Sequence, residues 1–269
     1  MIASSRLLET VTRTAPLGLR FLDEVTGAVV SEGLTVLHPR AGSEVPARAS
    51  ATRGGLFALR GLPGLREVER GDGGEAFWAS PPAGGSFRIE VRDALGRFHD
   101  FAFDATAPTR GLFAEPCGSP PRGEAGVPLF STPSRPAPAA GAVVRAELRD
   151  ADGGGPAAWA RLEVETAGGR ARGVADARGA VAVFLPYPPL PTTVASPPAQ
   201  SRPSLLEQTW PVSIEAFYGG LDGLDLCAVL EQPRAAIAQG SPPAQTVSQT
   251  LRYGRELVLP GPLYLSRPA

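Results

Sequence analysis

The chain has no lysine and no asparagine, so every one of its 26 basic residues is arginine. Against 27 acidic residues this leaves a formal net charge of −1. A chain so balanced carries no basic field for nucleic acid and no polybasic patch for anionic lipid, and neither is expected as a partner. Cysteine is scarce too, with Cys117 and Cys227 alone. Two are too few for a disulfide scaffold, and free thiols in a reducing compartment are expected. The other outcome is a single bond clipping a connector to a second domain. The two histidines, His38 and His99, have no HxH, HExxH or CxxC spacing around them, so structural roles are expected and no metal centre. A Ser/His/Asp triad through His99 lacks a GxSxG elbow. No apolar run is long enough to span a bilayer. The opening MIASSRLLETVTRTAP lacks the apolar core of a signal peptide. These absences lead to the expectation of a cytoplasmic protein with no cofactor, no metal and no membrane insertion.

What the chain does have is turns. Its 32 glycines and 29 prolines fall between apolar runs, which favours tight turns over disorder. Hydrophobic residues at 43% and charged residues at 20% are normal for a packed core. The stretch 143–187 organises the rest. Val144, Ala146 and Leu148 alternate with Arg145, Glu147 and Arg149. Strands follow around Leu162 and Val164, around Val174, and over 180–185. Period-two alternation with glycine punctuation predicts an antiparallel β-sandwich. Residues 17–22, 34–38, 56–60, 87–92 and 98–103 repeat the pattern earlier in the chain.

Between the two sets, residues 107–140 hold eight prolines and cannot enter a sheet interior. They are expected to run as a strap, with Phe113, Leu129 and Phe130 packed on the chain's own domains. The expected fold is therefore all-β: two tandem Ig-like, transthyretin-like antiparallel β-sandwiches joined by a Pro-rich connector. The boundaries are 1–15 for an N-terminal arm, 16–110 for domain 1, 111–140 for the connector and 141–269 for domain 2. Later in the chain, 209–218 reads as a long strand, while 225–232 and 234–238 read as short helical or irregular pieces.

The two halves can be laid over each other. In each, a strand ending in Asp leads to a second strand. A turn ending in Gly then precedes an apolar run closed by Leu-Pro or Gly-Leu-Pro, and an alternating strand follows. This order argues for two copies of one module.

Asp176-Ala-Arg-Gly179 followed by Phe184-Leu-Pro-Tyr187 resembles the transthyretin-like, carboxypeptidase-regulatory-like sandwich, whose pattern is TDxxGxF, apolar strand, LPPGxY. Thr52-Arg-Gly-Gly-Leu-Phe57 followed by Leu62-Pro-Gly64 is a looser copy. The turn needs Gly for a positive φ, and the Asp or Thr side chain caps it. Across the whole chain, LGLRFLDEVTG, LRGLPGLREVERG, AFWASPP, FRIEVRDALGRF, TRGLF, WPVSIEAFY and LRYGREL together are similar to accessory structural proteins of phage-tail-like contractile injection particles. That resemblance implies a structural or adaptor subunit packed against other protein subunits, not an enzyme, with no small-molecule substrate.

The remaining candidates for chemistry are few. Asp150, Asp152 and the glycines after them lack the distal Glu of a calcium loop and read as a turn. Trp159 and Trp210 lie in apolar strand patterns and are expected in the core. Phe77 and Trp78 lie in a Gly-rich insertion at 66–85 and are expected to contact a partner subunit. The alternative function is an adhesion or carbohydrate-binding β-sandwich protein. A hydrolase using scattered acids has no convergent residues to support it.

Overall fold

A computed structural model describes residues 14–71, 74–80, 83–114, 116–118, 125–138, 141–189, 204–238 and 243–267. The expected N-terminal arm lies outside these apart from Thr14 and Ala15. The fold is all-β. The chain forms two compact units: Met1–Phe21, Val29–Val91 and Phe103–Val127 make the first, and Leu22–Ala28, Arg92–Ala102 and Pro128–Ala269 the second.

The strands of the first module are β1 (Leu17–Asp23), β2 (Val29–Val30), β3 (Leu34–Arg40), β4 (Ser43–Arg48), β5 (Ser50–Ala51), β6 (Leu56–Leu59), β7 (Gly85–Asp93) and β8 (Phe101–Ala107), of which β1, β7 and β8 each have one end in the second unit. One sheet runs β2-β1-β6-β5 and the other β4-β3-β7-β8. The alternation anticipated the core. Leu17, Leu19, Phe21, Val36, Leu59, Ile89 and Phe103 are fully buried. Phe21 meets Phe57 edge to face at 5.4 Å, the arrangement the ring quadrupoles favour. The insertion at 66–85 holds two short helices, α1 (Arg66–Arg70) and α2 (Glu75–Ala79), and α1 buries Val68. In β4, the N–H of Val45 donates to Ser43 Oγ at 3.1 Å, and the same hydroxyl donates to the Val45 carbonyl at 3.2 Å.

The connector is not wholly outside the sheets. Its residues Val127–Leu129 form β9, which pairs with β1. The strand is three residues long and pairs with β1 alone among the described residues, an edge position of the kind that tolerates proline. Phe113 stacks on Phe103 at 6.1 Å, Leu129 is fully buried, and Phe130 is 3% exposed, so the strap's apolar residues pack on the chain itself as expected.

The second unit contains β10 (Gly141–Asp150), β11 (Arg161–Thr166), β12 (Gly169–Val174), β13 (Ala180–Pro186), β14 (Thr209–Phe217), α3 (Leu226–Leu230), β15 (Arg234–Ile237), β16 (Val247–Arg252), β17 (Leu257–Val258) and β18 (Leu263–Ser266). Its core gathers the inward residues of β10, β11, β13 and β14, among them Leu148, Leu162, Val183 and Ile214. Residues 234–237, expected as a helical or irregular piece, are a strand. Its alternation is only four residues long, too short to separate strand from helix in the sequence.

The strand order of the two modules agrees. In the first, β1 pairs β6 and the opposite sheet is β4-β3-β7-β8; in the second, β10 pairs β13 and the corresponding run is β12-β11-β14-β16. The turns share three hydrogen bonds. In the first, Thr52 N–H donates to the Leu56 carbonyl at 2.7 Å, Gly55 N–H to the Thr52 carbonyl at 3.1 Å, and Leu56 N–H to Thr52 Oγ1 at 3.1 Å. In the second, Asp176 N–H donates to the Ala180 carbonyl at 2.8 Å, Gly179 N–H to the Asp176 carbonyl at 3.0 Å, and Ala180 N–H to Asp176 Oδ1 at 3.0 Å. Gly55 and Gly179 have φ of 77° and 80°, the left-handed region that needs glycine.

The second module differs by an addition. Strands β15 and β18 link β14 to β10, so its sheets join into one path, with β18 and β17 both parallel to β10.

Candidate functional site

Asp150, which the sequence offered as a faint calcium ligand, is bound into a turn, and so are Asp23 and Asp93. Three strands close on Asp: β1 on Asp23, β7 on Asp93 and β10 on Asp150. Each carboxylate folds back on the turn that follows and is gripped by an arginine. Asp23 accepts from Val25 N–H at 3.0 Å and Thr26 Oγ1 at 2.9 Å, and receives Arg135 through two bonds of 3.0 and 2.6 Å. Asp93 accepts from the N–H groups of Leu95, Arg97 and Phe98 and from the Arg97 guanidinium at 3.1 Å. Asp150 accepts from Asp152 N–H at 2.9 Å, the Tyr218 hydroxyl at 3.0 Å and Arg267 at 2.9 Å.

All three carboxyls are held below the usual carboxylate range. For Asp23 and Asp93, burial works to raise the pKa, but the arginine and backbone donors outweigh it. For Asp150, the Asp152 N–H leads, joined by Arg267 and Tyr218. Charge-assisted bonds to N–H groups favour the ionised form in this way. Asp150 thus takes the turn role expected of it. Among the described residues no group of three or more His, Cys, Asp or Glu is placed to hold a metal ion.

The histidines are also spent structurally. His38 is 2% exposed, and its Nδ1 lies 2.9 Å from its neighbour's carbonyl at Pro39. His99 is 7% exposed, with Nε2 at 3.0 Å from the Val174 carbonyl. Burial pushes both imidazoles below their ordinary pKa. Trp159 lies edge-on to His99 at 6.2 Å. It is half-buried, with φ of 61°, and so sits in a turn before β11 and not in the core. Its carbonyl accepts from the buried Gln232 side chain at 2.9 Å. Trp210, 7% exposed, is a core residue as expected.

Phe77 and Trp78 both lie on α2, half-buried, with their rings edge to face at 5.2 Å. Phe77 lies so close over Gly71 that a Cβ there would come within 2.7 Å of its ring. The pair forms a local aromatic knob next to Glu75, which Arg110 engages through two bonds.

A second surface was not singled out by the sequence. Leu205 and Leu206, in the 3-10 turn Leu205–Glu207, are 48% and 73% exposed. Ser204 and Glu207 form a reciprocal capping box around that turn. Against it stand Tyr187 and Tyr253, with ring centroids 4.7 Å apart, and the Tyr187 hydroxyl accepts from Gly254 N–H at 2.8 Å. The legible signal was the S-x-x-E box with two leucines inside it.

The thiol expectation fails: Cys117 and Cys227 are both disulfide-bonded. No helix among the described residues is long and apolar enough to cross a membrane.

No family model and no curated protein matches the chain. Among solved structures, it is similar to the Bacillus anthracis TIE protein at 8% identity and a TM-score of 0.26, over 94% of this chain and 34% of that one. It is also similar to a Streptococcal ancillary pilin at 11% identity and a TM-score of 0.21, over 96% of this chain and 64% of that one. The chain spans about a third of the length of the first and under two thirds of the second.

Proposed function

We propose that the chain is a non-enzymatic structural or adaptor subunit of a multiprotein particle, of the phage-tail-like contractile injection kind that its whole-chain pattern resembles. One observation carries this reading. Asp23, Asp93, Asp150, Asp176 and His99 hold turns and strand ends, bonded to the chain's own backbone, hydroxyls and arginines. Such use stiffens β-modules and leaves the surface side chains for contacts.

Phe77 and Trp78 are the partner contact in this reading. Replacing Trp78 by Ala is expected to leave the melting temperature of the isolated protein nearly unchanged while weakening its incorporation into the particle. Sedimentation of native lysate from producing cells, with quantification of the chain in the heavy fraction, measures the second effect. A loss of several degrees with incorporation intact would place Trp78 in the fold and not at the contact.

An adhesion or carbohydrate-binding role is the second reading, favoured by the disulfide-bonded cysteines, because such bonds persist in oxidising compartments. Protein found outside cells, unassociated with a particle and retained by a glycan array, would select it.

A further inference from the structure

We infer that the surface made by the Leu205–Glu207 turn and the β16–β17 turn docks an acidic, apolar segment of another protein subunit. This rests on the structural-subunit reading and adds a contact distinct from Phe77 and Trp78.

Three observations converge here. First, Leu205 and Leu206 are adjacent and exposed, and Leu206 is the most exposed large apolar side chain among the described residues, at 73%. A Cβ at Gly254 would stand 3.8 Å from Leu206 Cδ2, which places the leucine against the β16–β17 turn. Tyr253 N–H donates to the Gln208 carbonyl at 3.1 Å, tying the two turns together. Half-buried Tyr187 and Tyr253 continue the apolar surface. Rigid aromatic and aliphatic side chains gathered in this way are what interface centres are made of.

Second, the site is built. The capping box fixes the 3-10 turn through Ser204 N–H to Glu207 Oε2 at 3.0 Å and Leu206 N–H to Ser204 Oγ at 3.3 Å. The leucines are therefore held outward by satisfied backbone bonds, so they do not hang on a loose loop.

Third, the local charge leans positive, with Arg252 and Arg255 against Glu207 and with Glu256 paired to Arg145. The nearby acids are engaged, Glu207 in the capping box and Glu256 with Arg145 at 2.9 Å. Arg252 and Arg255 are exposed and have no ion-pair partner among the described residues. Arginine presents a planar fork suited to carboxylates. A partner segment with leucine- or phenylalanine-like anchors flanked by Asp or Glu matches both halves of the surface. Two arginines fall short of the clusters that hold anionic membranes, which favours protein.

The test places a photo-cross-linking residue, p-benzoylphenylalanine, at position 206 of the full chain in its producing cells. The irradiated lysate is sedimented and the adducts are sequenced. The expected result is an adduct, in the heavy fraction, with an Asp- or Glu-containing apolar peptide of another protein. The Arg252→Glu/Arg255→Glu variant should lose it by roughly tenfold with an unchanged melting temperature, since like charges at a contact weaken it. An adduct within residues 190–203 of the same chain, with lipid, or with a basic peptide overturns the inference. A chain present in the heavy fraction without an adduct overturns it alone, leaving the structural-subunit reading in place. A chain absent from every heavy fraction overturns both.

Discussion

At the scale of single residues, glycine and aspartate do most to specify this chain. A Cβ at Gly179 would lie 2.2 Å from the Leu148 carbonyl oxygen, whereas one at Gly55 would meet a Val29 methyl at 2.8 Å. Backbone cannot move aside as a side chain can. Gly179→Ala is therefore expected to cost more than the ~1–2 kcal/mol of a left-handed alanine, and Gly55→Ala about that amount. Urea unfolding of the two variants measures the difference. Arg135 and Asp23 form a largely buried pair, with side chains 14% and 5% exposed. Arg135→Ala strands the carboxylate and is expected to cost about 3 kcal/mol. The acid limb of stability follows from the same groups. Asp23, Asp93 and Asp150 have folded pKa values below the ordinary 3.8, so the unfolded chain binds protons first as pH falls. Their contribution is complete above about pH 4 and is lost below it. His38 and His99 are lowered from 6.5 by burial, so their contribution begins to fall away below about pH 6.5. The urea midpoint is expected to drop in two steps, and His99→Gln should shrink the first while leaving the share of His38.

At the scale of elements, period-two alternation was legible in long strands that bury one face, although β8, expected over 98–103, runs over Phe101–Ala107. Leu17 to Asp23, Phe87 to Asp93 and Trp210 to Phe217 were all readable for that reason. The repeat was legible as well, because Thr52 and Asp176 announce the same turn by chemistry. Three features were not readable. The strand Arg234–Ile237 has too few residues to show a period. The helix Arg66–Arg70 offers only Val68 to the core, so its charged residues looked like an insertion. Trp159 carries an apolar side chain on a left-handed backbone, and side-chain type does not report φ. The candidate surface was half legible: Phe77 and Trp78 stood out by composition, whereas Leu205 and Leu206 draw their meaning from Tyr187 and Tyr253, far off in sequence. The strap makes a measurable claim. Phe130 is 3% exposed and Phe113 half-buried, so Phe130→Ala is expected to cost about 3–5 kcal/mol and Phe113→Ala less, as read by thermal melts.

At the scale of the whole molecule, pairing order and turn chemistry repeat while the connections diverge, since β15 and β18 belong to the second module alone. The disulfide-bonded Cys117 and Cys227 set a simple expectation: thiol titration of the denatured, unreduced protein should read zero, and two after reduction. One feature of β4 bears on behaviour in crowded solution. This strand ends its sheet, and its Val45 N–H is occupied by Ser43 Oγ, while Pro46 has no N–H to offer. Two successive positions on an outermost strand thus give a stray chain no donor, which denies amyloid-type fibres a foothold. Ser43→Ala combined with Pro46→Val should restore that foothold, and thioflavin fluorescence in concentrated, gently stirred samples should rise after a shorter lag than for the unaltered chain.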